Sequence, residues 1–171
     1  MIRLKKLASN SIIGKKDDMP SLGCIQNNTH HYLHYVPFSE TDAGGIVYHG
    51  RYADIAERAR NALLLLLPSF DDNFEEGEKE NSKFLKDFGF IVHSLSANYK
   101  KPVKLNEIVR IESNVLELKP ASMLLTQRFF VGNELRTELT LKLVTINSTF
   151  QPSKIPSYWA ERFNCLIKKE K

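Results

Sequence analysis

The pattern of apolar residues is strongest between residues 50 and 67. Apolar side chains recur there at helical spacing and form one face, made up of Tyr52, Ile55, Ala56, Ala59 and Leu63. Pro68 is predicted to end this helix. The segment 62–67 is apolar on every side, so we expect protein to surround that end of the helix. Asp54 and Arg58 lie four residues apart and are predicted to pair on its surface.

Five other segments are typical of strands: 31–38, 90–99, 107–118, 123–131 and 135–147. In the second, period-two alternation predicts one face carrying Ile91, His93, Leu95, Ala97 and Tyr99. Tight turns are predicted at 119–122 and at 132–134. Long antiparallel strands joined by short turns, together with one apolar helix, predict an α+β fold in which the sheet curves around that helix.

The remaining segments are less regular. Residues 69–83 are acidic and predicted to form a solvated loop, with a short helix at 82–88 that ends at Gly89. Near the C-terminus, apolar residues at helical spacing predict a helix that docks on the body or on a partner subunit: Trp159, Phe163, Leu166 and Ile167.

Composition narrows the functional class. The 171 residues fit one domain. Of the net charge of +4, residues 1–29 carry +3, so the body has no basic patch of the kind that nucleic acids bind. No apolar run reaches the eighteen residues of a spanning helix, which argues against membrane insertion. Two distant cysteines, Cys24 and Cys165, favour a reducing, cytoplasmic setting.

The N-terminal residues 1–29 are expected to form a basic, flexible extension, followed by a single domain at 30–171. The extension weakly resembles a targeting peptide but lacks the apolar core of a secretory signal. Met19 is an alternative start.

The loop between the first strand and the helix contains the candidate chemistry. Asp42, the glycine pair Gly44 and Gly45, and a helix N-terminus lie within eleven residues, 42–52. Glycines let a ligand approach the backbone, and a helix start offers free N–H groups to a carbonyl oxygen. By contrast, the alternation of a strand separates His30 and His34 from His31, so no metal site is predicted.

The motif Thr-Asp-Ala-Gly-Gly-Ile-Val-Tyr-His at 41–49, with Tyr52 and Glu-Arg-Ala-Arg at 57–60, resembles the signature of YbgC-type acyl-CoA thioesterases. These belong with the 4-hydroxybenzoyl-CoA thioesterases and have the hotdog fold. The resemblance covers about 31–163. It implies a homo-dimer or homo-tetramer with active sites between subunits, and a link to the Tol-Pal envelope machinery.

The resemblance also implies site residues. Asp42 matches the catalytic carboxylate, acting as nucleophile or as general base. His49 matches the position whose backbone N–H meets the thioester carbonyl, and its side chain is also implicated. The substrate-binding positions are Gly44, Gly45, Val47, Tyr48, Tyr52, Lys119 and Ser122. Glu57 is a second candidate acid, although an ion pair with Arg60 is the expected role.

The predicted function is hydrolysis of short-chain or aromatic acyl-CoA, with acyl carrier protein thioesters as further substrates. No cofactor is expected, because coenzyme A is part of the substrate and a thiolate leaves readily. The alternative is a non-catalytic protein of the same fold that binds acyl thioesters or acts as a partner in envelope assembly.

Overall fold

The computed structural model describes residues 22–67 and 89–167. Within these ranges the elements, in chain order, are β1 (Cys24–Gln26), β2 (Thr29–Tyr35), α1 (Arg51–Leu66), β3 (Gly89–Tyr99), β4 (Ile108–Lys119), β5 (Ser122–Val131), β6 (Glu134–Ile146) and α2 (Ser157–Asn164). A single 3-10 turn, Phe38–Glu40, precedes α1. The predicted loop at 69–83 and short helix at 82–88 lie outside the described residues.

The six strands form one antiparallel sheet in the order β1-β2-β4-β5-β6-β3. Two-residue turns join β4 to β5 and β5 to β6, as the sequence predicts. In the second turn Gly132 has a φ of 58°, a conformation that glycine adopts without a steric penalty. The predicted α+β class is confirmed, with α1 as the long helix against the sheet.

The core lies between α1 and one face of this sheet. All five residues of the predicted apolar helix face are buried. They pack with sheet residues that are also buried, among them Ile111, Leu125, Phe129, Leu139 and Leu141. The prediction that the C-terminal end of α1 is enclosed on every side is wrong for Leu65, which is 48% exposed. The reason is geometric: α1 lies on one face of a single sheet, so its far side has no described strand against it.

A β-bulge in β3 makes the observed face of this strand differ from the predicted one. The pairing with β6 shifts register between Val92 and Ser94, which leaves His93 as the extra residue. Leu95, Ala97 and Tyr99 pair with residues whose side chains face α1, as predicted, but before the bulge Phe90 and Val92 take that face instead of Ile91. One inserted residue reverses the alternation, and no periodic pattern reveals it.

The two ends of the described chain meet near the start of β2. The sequence pattern did not predict β1, which pairs with β2 through Cys24 opposite His31 and lies before the domain boundary predicted at residue 29. The predicted C-terminal helix is present as α2, with Trp159 and Phe163 buried, but it ends at Asn164, so the predicted Leu166 and Ile167 lie beyond it. Among the described residues, no helix combines the length and apolarity needed to cross a bilayer.

Candidate active site

The loop between β2 and α1 folds into a small hairpin. At its base, the Tyr48 N–H donates to the Glu40 carbonyl at 3.0 Å. Inside it, the Asp42 N–H donates to the Ile46 carbonyl at 2.9 Å and the Gly45 N–H donates to the Asp42 carbonyl at 3.0 Å. Gly45 has a φ of 72°, which a side chain would strain. The glycine pair therefore shapes the turn that displays Asp42.

This loop hairpin is fastened to the segment that enters β4. The Val47 N–H donates to the Val103 carbonyl at 2.8 Å, and the Leu105 N–H donates to the Gly45 carbonyl at 3.0 Å. Val47 and Val103 are both buried. The sheet thus sets the position of the loop backbone.

The carboxylate of Asp42 is held at one oxygen. Its Oδ1 accepts a hydrogen bond from the Gly44 N–H at 2.8 Å, an arrangement that fixes the side chain across the turn. The residue is exposed. One oxygen is therefore oriented by the backbone, and the exposed carboxylate is accessible to an acyl group or a water molecule.

The start of α1 lies on the same side of the loop. Gly50 is its N-cap residue and supplies no side-chain cap. In the described part of the chain, the N–H groups of His49 and Gly50 have no backbone acceptor. The Tyr99 hydroxyl donates to the His49 carbonyl at 3.1 Å, which ties β3 to the helix start. Free N–H groups at the positive end of a helix dipole can bind an oxyanion.

One cavity of about 480 Å³ brings these groups together. Its lining includes four of the predicted site residues, Asp42, Val47, His49 and Tyr52. Ile46, Tyr99, Lys100, Lys101 and Pro102 complete the wall. The Tyr52 ring contacts Tyr99 edge-on, with ring centres 5.2 Å apart. Burial raises the pKa of Tyr52, so the phenol stays protonated at neutral pH.

Of the other predicted site residues, Gly44 and Gly45 form the turn beside Asp42, whereas Tyr48, Lys119 and Ser122 do not line the cavity. Tyr48 is exposed, with its ring packed against that of His49. Lys119 and Ser122 pair across the β4–β5 turn, while the opposite end of β4 pairs with Tyr35 near the loop. At ~3.3 Å per residue, that turn is roughly 35 Å from the loop end of the strand. Lys119 and Ser122 do not reach Asp42 within one chain.

A second cavity of about 300 Å³ lies between α1 and β3. Glu57 and Arg60 line it together with Phe90 and Val92. Arg60 donates to the Gln127 side chain at 3.0 Å. Burial lowers the pKa of Arg60, and the nearby Glu57 carboxylate opposes that change.

Sequence reasoning missed Glu40, a charged residue beside the candidate site. It predicted that Arg58 pairs with Asp54, but Arg58 bonds to Glu40 and Asp54 pairs with Arg51. Helical spacing makes two partners available to Asp54 and does not choose between them. A signal did exist, because Glu40 stands two residues before Asp42. Tyr99 and Lys100 were also missed as wall residues, since only the fold brings β3 to the loop.

The three histidines of β2 face as the alternation predicts. His30 and His34 are buried, whereas His31 is on the other face, opposite Glu112. Within residues 22–67 and 89–167 there is no group of three or more histidine, cysteine, aspartate or glutamate side chains suited to a metal ion.

The chain is similar in sequence and in fold to known proteins of one family. The profile described as "Thioesterase superfamily" matches residues 44–137. The chain is 30% identical over 112 residues to the acyl-CoA thioesterase YbgC of Haemophilus influenzae, covering 66% of this chain and 76% of the relative. Among solved structures it resembles a gentisyl-coenzyme A thioesterase, with 25% identity and a TM-score of 0.64, covering 76% of this chain and 98% of the other. It also resembles the DHNA-CoA thioesterase of Staphylococcus aureus, with 25% identity and a TM-score of 0.65, covering 80% and 89%.

Proposed function

The chain belongs to the thioesterase superfamily, and we propose that it hydrolyses short-chain or aromatic acyl-CoA thioesters with Asp42 as its catalytic carboxylate. Its relatives identify it as a thioester hydrolase of the YbgC type with the hotdog fold. The observation that carries the proposal is the shared cavity, which joins a backbone-held carboxylate to an uncapped helix start.

The helix start supplies the electrostatic part of the mechanism. Attack on a thioester places negative charge on the carbonyl oxygen, and donors already aimed at that oxygen lower the barrier. In this proposal the N–H of His49, with that of Gly50, binds the oxygen at the N-terminus of α1. Removing one such donor typically costs about 3 kcal/mol of transition-state stabilisation.

Asp42 supplies the second part by one of two routes. In the first, a carboxylate oxygen attacks the thioester carbon, the C–S bond breaks, and coenzyme A leaves as a thiolate. Water then cleaves the mixed anhydride and restores the carboxylate. In the second, Asp42 takes a proton from a water molecule as that water attacks. Label found in the Asp42 side chain after a single turnover in ¹⁸O-labelled water would establish the anhydride route, because water can enter that side chain only by attacking the Asp42 carbonyl carbon of the anhydride.

The walls of the cavity support the substrate class. Apart from Asp42, His49 and the two lysines, its lining is apolar or aromatic: Ile46, Val47, Tyr52, Tyr99 and Pro102. A volume of about 480 Å³ falls within the range of small-molecule sites. Aromatic faces pack well against a planar ring or a short alkyl chain. The two solved thioesterases reported above are similar in sequence and fold, and the name of one specifies gentisyl-coenzyme A.

We further propose a homo-dimer built on β3. This strand forms one edge of the sheet, and Ile91, Val92, Leu95 and Tyr99 leave 42–49% of their surface exposed. An unpaired apolar edge of this length readily pairs with another strand. Antiparallel pairing with a second copy would bring the Tyr99 end of one β3 towards the Phe90 end of the other, so the Asp42 cavity of one copy would adjoin the Glu57 cavity of its partner. Lys119 and Ser122 could then meet coenzyme A only from another chain, as in a tetramer.

Thiol release from a series of acyl-CoA substrates tests the proposal. The series runs from acetyl- and butyryl-CoA through benzoyl-CoA to palmitoyl-CoA, with Asp42→Asn beside wild type. Asparagine can still accept the Gly44 N–H bond, so the loop should keep its shape. We expect kcat to fall by about 100-fold or more, the usual contribution of a positioned acid or base. Asp54→Asn is the matched control, because Asp54 is an exposed carboxylate of α1 outside the cavity.

The outcomes separate enzyme from binding protein. Rapid release from benzoyl- or butyryl-CoA, lost in Asp42→Asn and kept in Asp54→Asn, supports the proposal. Equally slow release by all three proteins would contradict it. Calorimetric binding of uncleaved acyl-CoA would then favour the non-catalytic alternative.

A further inference from the structure

Glu40 is a buried acid that the proposed chemistry does not use. Its side chain is 5% exposed, and both carboxylate oxygens have partners. Oε1 accepts a hydrogen bond from Arg58 Nη1 at 2.5 Å, and Oε2 lies 2.7 Å from His34 Nε2. A buried carboxylate is tolerated only where such partners replace its water. Glu40 therefore connects the loop to α1 through Arg58 and to β2 through His34.

The backbone of the same residue closes the loop hairpin. The Glu40 carbonyl accepts the Tyr48 N–H, and Thr41 bridges to Val47 one step further in. Asp42 lies two residues after Glu40, and His49 directly follows Tyr48. A displacement of Glu40 should therefore move two groups of the candidate site. One is the Asp42 carboxylate, and the other is the His49 N–H that is proposed to bind the thioester carbonyl.

We propose that Glu40 is a positioning residue for thioester hydrolysis, acting with Arg58 and His34. The proposal rests on the function proposed for Asp42. Glu40 does not line the cavity that holds Asp42 and His49, so it acts through them and not on the substrate. The charge matters as well as the shape, because both partners present donors to the carboxylate. A glutamine in its place would turn an NH₂ group towards one of those donors.

The carboxylate of Glu112 offers a matched control. It has a histidine partner, His31, and two arginine partners, Arg110 and Arg128, in the middle of the opposite sheet face. Glu112→Gln removes a similar set of ion pairs without touching the loop. A difference between the two glutamine variants therefore reports on position and not on the loss of a carboxylate.

The experiment compares Glu40→Gln and Glu112→Gln by steady-state kinetics and by hydrogen exchange. For Glu40→Gln we expect kcat to fall by about 10-fold or more, with KM for acyl-CoA within three-fold of wild type. A misplaced catalytic group slows the chemical step more than it weakens binding. The amide of Tyr48, which the Glu40 carbonyl protects, should exchange at least several-fold faster. Glu112→Gln should leave both readouts at the wild-type level.

Arg58 provides a second variant in case Glu40→Gln does not fold. Its side chain is half exposed, so Arg58→Met should fold, and it should reproduce the loss of kcat. Arg58→Lys should recover part of it by restoring a cation. Wild-type kcat and Tyr48 protection in Glu40→Gln or Arg58→Met, with Asp42→Asn inactive, would overturn the positioning role alone. An equal loss of kcat in Glu112→Gln would overturn it too. If wild type released no thiol, the proposed function would fail, and hydrogen exchange would still test whether Glu40 holds the loop.

Discussion

Gly45 is the residue at which backbone geometry most directly limits the site. Its φ of 72° is costly for any residue with a side chain, although no atom lies within 4 Å of an added Cβ. Gly45→Ala should therefore destabilise the protein through strain alone, by about 1 kcal/mol. Gly89→Ala is the control, because no atom of the described residues lies within 4 Å of an added Cβ there either, and its φ is not left-handed. Urea unfolding of both variants tests this. Equal stability of the two would contradict the strain argument.

Among individual residues, the sequence predicted the site residues that lie together in one motif. It missed those whose role comes from contacts with distant parts of the chain. Asp42, Val47, His49 and Tyr52 do share a cavity. Glu40 directly precedes that motif, but its importance comes from His34 and Arg58, which reach it from two other elements. Lys119 and Ser122 show the opposite limit. The family resemblance predicted them as substrate-binding residues. Within one chain, however, they lie at the β4–β5 turn at the far end of β4, a full strand length from Asp42.

The β1–β2 hairpin should make the stability of the fold depend on pH. His30 is buried, its Nε2 lies 2.8 Å from the Leu22 carbonyl, and burial lowers its pKa. The unfolded chain, with an ordinary histidine pKa near ~6.5, then takes up the proton first. The stability that neutral His30 contributes is complete above that pH and is lost as pH falls below it.

The test is urea unfolding at pH 7.5 and 5.5. Wild type should lose more stability between these values than His30→Gln, since glutamine can donate to the Leu22 carbonyl without titrating. His31→Gln, which removes the half-buried neighbour on the other sheet face, should keep most of the wild-type pH dependence, because burial lowers the pKa of His30 more than His31 does. If His30→Gln kept the full pH dependence, the assignment to His30 would be wrong.

Elements with a regular period were predictable, and irregular ones were not. The buried face of α1 follows from helical spacing alone. The bulge in β3 changes which side chains face α1, because one residue without a partner shifts every residue before it. The short β1 has too few residues to show alternation, so it was assigned to the N-terminal extension.

For the whole molecule, the exposed edge of β3 matters most. Within residues 22–67 and 89–167, Val92 and Leu95 are about half exposed and β3 pairs with β6 alone. A second copy would cover these side chains and supply the missing strand partner. The sequence could not reveal this, because its alternation looks the same in a central strand and in an edge strand.

The double variant Val92→Lys with Leu95→Lys tests this assembly. Two lysines on the edge should repel the second copy and leave the chain monomeric, as measured by light scattering coupled to gel filtration. Leu116→Lys is the control, because Leu116 is also about half exposed but lies on β4 inside the sheet order. We expect it to keep the wild-type mass.

If the site lies between chains, the monomer should also lose at least about 10-fold in kcat, since its cavity would lack the wall that the partner supplies. A monomer with full activity would show that each chain holds a complete site, and a wild type that is itself monomeric would remove the dimer from the proposal.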